Sequence, residues 1–299
     1  MGIGHRGTTK SGGQKDSLDR FYTNEEEAAR LVSAVGPQLP HLVVEPSAGR
    51  GAFVRALEDA GHAVLAYDIA PADDPVCSTP IIRADFLSTG ASDISRDAPE
   101  PYDLHDTAFV GNPPFGVQGF LAVEFVRHCL ELADDAWMIL PPSFRKRSAA
   151  DKVGDGELVE VIELDSTSYD TPTGTVDVPG AFMHWHACDG TEAKARRRRE
   201  DAEAIAALPF EFLSWKELRD DPRMFIIRRT GGRSGTADAD THVSSPTNYY
   251  LCRARDGFDR DAVIAWVNGT EFPERDWSVG PRSLSKGEVA LRLGQNPLA

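Results

Sequence analysis

Residues 41–68 read HLVVEPSAGRGAFVRALEDAGHAVLAYD, and this stretch decides the fold. His41–Glu45 is a short apolar run ending in an acid, which reads as a buried strand. Pro46–Gly51 follows as a loop with two glycines, where the backbone can turn tightly and approach a ligand. Ala52–Ala60 then reads as a helix, and Ala63–Asp68 as a second strand. Strand, glycine loop, helix and strand in that order predict a parallel βαβ unit.

The same alternation extends on both sides. A helix is expected from Asn24, whose side chain can cap it, with Glu25, Glu26 and Glu27 favoured in its first turn by the helix dipole. Further strands are expected at Pro80–Ala84, Ala108–Gly111, Ala136–Leu140, Leu158–Leu164 and Gly180–Ala187, with a helix over Phe120–Leu132. The expected class is α/β: a Rossmann-like, doubly wound, mostly parallel seven-stranded sheet with a small C-terminal α+β extension. Ligands of such sheets bind beyond the carboxyl ends of the strands. Glu45, Asp68, Asp85 and Asn112 all fall there.

Residues 1–17 are rich in Gly, Ser, Thr and Lys and are expected to be a disordered tail. Residues 18–190 form the expected main domain and 191–299 the extension. In the extension, 191–205 is a charged helix or linker, strands fall at 224–229 and 248–253, and helices at 259–268 and 284–292. The extension is read either as a substrate-facing lobe or as a structural cover for a sheet edge.

Of the 299 residues, 41% are hydrophobic and 26% charged, values of an ordinary globular chain. No apolar run is long enough to span a membrane. The N-terminus lacks a secretory apolar core, and Arg6 stands where a myristoylation signal needs Ser or Thr. The four cysteines, Cys77, Cys129, Cys188 and Cys252, are widely spaced, which fits a reducing, cytoplasmic setting better than a disulfide framework. His184 and His186 alternate along a strand with no further ligand nearby in sequence, so no metal is expected.

The net charge is −15, unevenly spread. Residues 21–144 hold 6 Lys and Arg against 19 Asp and Glu. Basic residues gather later, at Arg145–Arg147, Arg196–Arg199, Arg228, Arg229 and Arg233, and Arg253 with Arg255. A polyanion would be held by that half and by the N-terminal tail. Lys146, with Arg145, is the expected phosphate contact.

Four motifs carry chemistry. Glu45–Gly51 joins a glycine loop to a helix N-terminus, a place for a ligand anion. Asp68 ends the next strand and reads as a ribose-binding acid or as a turn cap. Asp85-Phe86 pairs a carboxylate with an aromatic ring, able to bind and cover an adenine or simply to end a strand. The fourth motif, Gly111-Asn112-Pro113-Pro114-Phe115-Gly116, is the most specific. Two prolines stiffen the loop and remove two donors. The Asn112 side-chain oxygen and the Pro113 carbonyl can then accept from one NH2 group, and Phe115 can stack on a flat ring.

In this order the motifs resemble the class I S-adenosylmethionine-dependent methyltransferases, and most closely the gamma-type N6-adenine DNA methyltransferases with their Asn-Pro-Pro-aromatic (here NPPF) loop. The resemblance covers residues 18–187. It implies S-adenosyl-L-methionine as cofactor, held by Tyr22, Thr23, Glu45, Ser47, Gly49, Gly51, Asp68, Asp85, Phe86 and Asn112. It implies catalytic roles for Asn112, Pro113, Pro114 and Phe115 on an exocyclic amine, first of all adenine N6 in DNA. RNA adenine, a protein glutamine amide, and a non-catalytic cofactor-binding subunit with a protein partner are the alternatives. Many relatives carry Tyr where this chain has Phe115; stacking survives that change, a hydroxyl contact does not. An NAD-dependent oxidoreductase would need a third spaced glycine after Gly49-Arg50-Gly51.

Overall fold

The computed structural model describes residues 22–171, 174–278, 282–295 and 298. The tail 1–17 and Phe21 lie outside the described residues. The elements of the main unit run in the expected alternation: α1 (Glu25–Val35), β1 (Leu42–Glu45), α2 (Ala52–Asp59), β2 (Ala63–Asp68), β3 (Ile81–Arg83), α3 (Ala91–Asp97), β4 (Thr107–Gly111), α4 (Phe120–Leu132), β5 (Asp135–Leu140), α5 (Arg147–Val153) and β6 (Gly156–Glu163). A hairpin follows, β7 (Ser168–Thr171) and β8 (Gly174–Asp177), then β9 (Ala181–Ala187). Asn24 caps α1 as its sequence implies, its side-chain oxygen accepting from the amides of Glu26 and Glu27.

Seven strands form one sheet in the order β3-β2-β1-β4-β5-β9-β6. Strands β1 to β5 are mutually parallel, and β9 runs antiparallel between β5 and β6. The fold class is therefore the expected one. The central strands are largely apolar because the sheet is covered on both faces there: β1 and β4 are buried at every position. Aromatic contacts show the two layers. On one face Trp137 packs on Phe182, which stacks on Phe53 of α2 at 5.8 Å. On the other, Phe86 packs against Phe109 of β4 and Phe125 of α4.

The chain winds outward from β1 to β3, then returns to place β4 on the other side of β1. The order thus reverses between β1 and β4, and a crevice opens beyond their carboxyl ends. Glu45 and Gly111 are the last residues of those two strands, and Glu45 lines the cavity there.

The hairpin β7–β8 was not anticipated by the sequence pattern. It pins the start of the described chain: the amide of Tyr22 donates to the Asp170 carbonyl at 2.8 Å, and the Asp170 amide donates back at 3.2 Å.

Helix α6 (Gly190–Ala207) leads into a second, four-stranded sheet. Its strands are β10 (Phe210–Leu213), β11 (Met224–Arg228), β12 (Ala237–Asp238) and β13 (Tyr249–Ala254), in the order β10-β13-β11-β12. With α7 (Arg260–Gly269) and α8 (Lys286–Gly294) they enclose a second core around Phe210, Phe225, Ile227, Cys252, Val267 and Val289. Arg147 of α5 joins the two units by pairing with Glu200 and Asp201 of α6, and within the extension a Cβ on Gly287 of α8 would collide with Asp201.

Phe225 is fully buried in the second core and meets Phe210 edge-on at 5.3 Å. Phe225→Ala should cost about 3–5 kcal/mol through lost burial and the cavity left behind. Denaturant unfolding followed by tryptophan fluorescence checks this; a loss under about 1 kcal/mol would mean that this core collapses around the gap.

Candidate functional site

The crevice is built from the ends of β1, β2 and β4. Tyr22, Thr23, Glu45, Ser47, Gly49 and Asn112 line one narrow cavity there, together with Ala48, Arg50, Ala52 and Phe53. Six of the expected site residues, spread over 90 positions of sequence, are thus brought together. Ala48, Arg50, Ala52 and Phe53 were not expected; flanking or lying between Gly49 and Gly51, they could have been read from the loop-to-helix junction.

Glu45 is 1% exposed. Its Oε1 accepts from the Ser47 amide at 3.0 Å and the Ser47 hydroxyl at 3.3 Å. Burial outweighs these bonds, and nearby Asp68 adds repulsion, so the Glu45 pKa is pushed up to about 8. Glu45 also explains Gly111: a Cβ at that position would collide with the carboxyl group. The acid ending β1 and the glycine ending β4 are one steric unit.

The glycine loop takes its shape from Asp68. One Asp68 oxygen accepts from the Gly49 amide at 2.7 Å, the other from the Ala70 amide at 2.7 Å. The acid therefore serves as a turn cap and also clamps the loop. Each oxygen keeps a second lone pair for another donor. Gly49 sits at φ +55°, and a Cβ there would press on the Tyr22 ring. Gly51 sits at φ +88°, where a Cβ would collide with the Cys77 side chain. Gly51 is thus required by the packing of the 72–77 loop, a reason the motif alone does not reveal.

Asn112 leaves β4 into the Pro-Pro loop, and its Nδ2 donates to Thr23 Oγ1 at 3.2 Å. This bond ties the segment before α1 to the loop and fixes the plane of the amide. Beyond the loop, Gly116, Gln118 and Gly119 all take positive φ. Val117 and Phe120 are left largely exposed at the rim, at 79% and 68%. A second cavity of about 370 Å³ lies past this turn, lined by Gly119, Phe144, Lys146, Ser148 and Lys152 of the main unit and by Ser278 and Ser283 of the extension.

Several expected site residues stand elsewhere. Phe86 is 2% exposed and belongs to the core, enclosed by Tyr67, Phe109, Phe125 and His128. It has no open face for an adenine ring. Asp85 is exposed and accepts from the Leu87 amide at 3.2 Å, capping a short 3-10 turn. Phe115 is buried at 8% exposure, packed rather than presented.

The two expected phosphate contacts are already engaged. Arg145 makes a bidentate pair with Glu163, both bonds 2.7 Å, and lies over the Trp277 ring. Lys146 donates to the Ser283 carbonyl at 2.7 Å and pairs with Glu288 at 3.6 Å. Both tie the extension or β6 to the segment after β5. Much of the basic clustering is neutralised the same way: Arg147 pairs with Glu200 and Asp201, Arg196 with Glu157, Arg197 with Asp151 and Arg253 with Glu211.

No protein-family model matches the chain, and no curated protein matches it. Solved structures do align with it. One from Pyrococcus horikoshii, described as a candidate RNA methyltransferase, is 12% identical and covers 57% of this chain and 86% of its own, with a TM-score of 0.38. The modification subunit of a candidate type I restriction enzyme from Vibrio vulnificus is 13% identical over 57% of this chain and 45% of its own, with a TM-score of 0.41. Magnesium protoporphyrin IX methyltransferase from Synechocystis, with bound SAM, is 12% identical over 55% of this chain and 77% of its own, with a TM-score of 0.35. The fold assignment stands on the strand order and not on these alignments. Among the described residues no helix is long and apolar enough to cross a membrane.

The raised Glu45 pKa sets a pH dependence. The folded state binds this proton more tightly than the unfolded chain, whose value is near 4.5. Stability from this group is fully present below that value and falls as pH rises toward about 8. Glu45→Gln removes the ionisation at nearly constant shape. In denaturant unfolding at pH 5, 7 and 9, the variant should gain on wild type progressively, by a few kcal/mol at pH 9 (about 1.4 kcal/mol per pKa unit). Parallel pH profiles would mean Glu45 stays ionised.

Proposed function

We propose that this chain is an S-adenosylmethionine-dependent methyltransferase that methylates an exocyclic amine, N6 of adenine in a nucleic acid, with DNA ahead of RNA. The observation that carries this reading is Asn112: it stands at the sheet's switch point, bonded to Thr23, facing the Glu45 and Gly49 cavity and followed by two prolines.

The residues fit the cofactor. Gly49 lines the cavity with its φ-positive turn packed on the Tyr22 ring, and the first residues of α2, Ala52 and Phe53, open onto the same cavity. Asp68 keeps lone pairs for the ribose hydroxyls, whereas Asp85 caps a 3-10 turn and does not line the cavity. Glu45, Ser47 and Thr23, which line the cavity together, would hold the methionine end. A cation against Glu45 would restore its charge. When bound, S-adenosylmethionine supplies the sulfonium methyl group.

The chain's own work is to hold the amine. The Asn112 side-chain oxygen and the Pro113 carbonyl accept its two hydrogens and draw the nitrogen toward tetrahedral geometry, freeing a lone pair that the aromatic ring otherwise delocalises. The same two acceptors stabilise the positive charge that grows on nitrogen during attack. No strong base is needed, because the methylated amine loses its proton afterwards to water. In-line placement supplies much of the remaining gain. To stack on a base, Phe115 would have to leave its packed position. The cavity of about 370 Å³ beyond Gly119 is the space on the target side, with Lys152 at its edge.

The neutralised arginines favour a second reading, a protein glutamine amide, whose planar NH2 suits the same two acceptors. Methyl-labelled cofactor offered with single- and double-stranded DNA, RNA and a protein lysate separates the readings. Label on N6-methyladenine in one nucleic acid is expected. Asn112→Ala should lower transfer by about 10²–10³-fold while cofactor binding changes little. Undiminished transfer by that variant, or label confined to protein, would overturn the adenine reading.

A further inference from the structure

The end of the sheet away from the crevice gathers a second set of donors. Asp135 opens β5, and His184 and His186 lie on neighbouring β9. The antiparallel register pairs Asp135 with His186 and Trp137 with His184. Residues directly opposed share a face, as do residues two apart on one strand. All three side chains therefore project together. One Asp135 oxygen lies 2.6 Å from His184 Nε2 and 2.8 Å from His186 Nδ1. The three ligand atoms all lie within 4.8 Å of one another.

We propose that Asp135, His184 and His186 form a binding site for a divalent transition-metal ion of the zinc type. Two imidazoles and one carboxylate are a donor set that zinc accepts, with water in the fourth position. Ligand bonds of about 2.0–2.1 Å place tetrahedral donor atoms roughly 3.3 Å apart, so small side-chain rotations suffice. The His184 ring is already oriented, stacked on Trp137 at 4.1 Å and 7°. His186 is half exposed, which gives an ion a path in. The register also sets Glu160 of β6 opposite His184, adding negative charge on the same face. The absence of a third ligand near the His-x-His pair in sequence is thus made good by an acid 49 positions earlier.

The site is independent of methyl transfer. Asp135 begins β5, and the crevice lies past its other end, about 17 Å away at the usual rise per residue. An ion there would cross-link β5 to β9, holding the antiparallel strand in register.

The test uses the full, untagged chain stripped of metal with a chelator. Zn²⁺ is titrated in competition with a chromophoric chelator, and Co²⁺ binding is followed by its visible absorption. One equivalent of Zn²⁺ with a Kd of about 1 μM or tighter is expected, with the intense bands of four-coordinate Co²⁺. His186→Ala and the near-isosteric Asp135→Asn should each weaken binding at least about tenfold and remove those bands. Circular dichroism of the variants establishes that they fold. Absence of stoichiometric binding, or binding by the variants equal to wild type, would overturn the site and leave Asp135 as a hydrogen-bond bridge between two imidazoles.

Discussion

A carboxyl group buried at the end of β1 constrains everything around the crevice. Glu45 has almost no contact with water, and its bonds come from Ser47 in the loop that follows it. It presses on Gly111, so the neighbouring strand must end in a residue without a side chain. That places Asn112 directly beside the cavity, where it bonds to Thr23. One buried acid thereby couples the first strand, the Pro-Pro loop and the segment before α1. The same burial makes its ionisation unfavourable until a cation or a donor arrives, a tension often met at binding sites.

The Asp68 clamp is the counterpart on the other side of the loop. By accepting from the Gly49 amide it fixes the turn that leads into α2. Two strand-end acids with different surroundings thus divide the work: one stays buried with its charged form disfavoured, the other organises backbone amides. The extension is bound to this machinery through charge. Arg145 and Lys146, directly after β5, meet Glu163, Trp277, Ser283 and Glu288. The excess of acids supplies internal partners to Arg145, Arg147, Arg196, Arg197 and Arg253.

The sequence by itself determined the layered α/β class, because strand and helix periods alternate and each strand ends in a polar turn. It also determined which loops matter: the glycines, the strand-end acids and the Pro-Pro step are local signals with local causes. The cavity residues Glu45, Ser47, Gly49 and Asn112 were legible for that reason, while Tyr22 and Thr23 entered only through the family resemblance. Only the tertiary structure decided the fate of residues whose role depends on distant neighbours. Phe86 and Phe115 look like free aromatic rings in the sequence, yet packing buries both. Arg145 and Lys146 look like solvent-facing cations, but their partners lie 18 to 142 positions away. Strand β9 runs against the others and brings His184 and His186 to Asp135. Period and motif fix what a residue does within its own element. Which element comes to lie beside it is set by sheet order and register, and these are decided by the burial of the whole core.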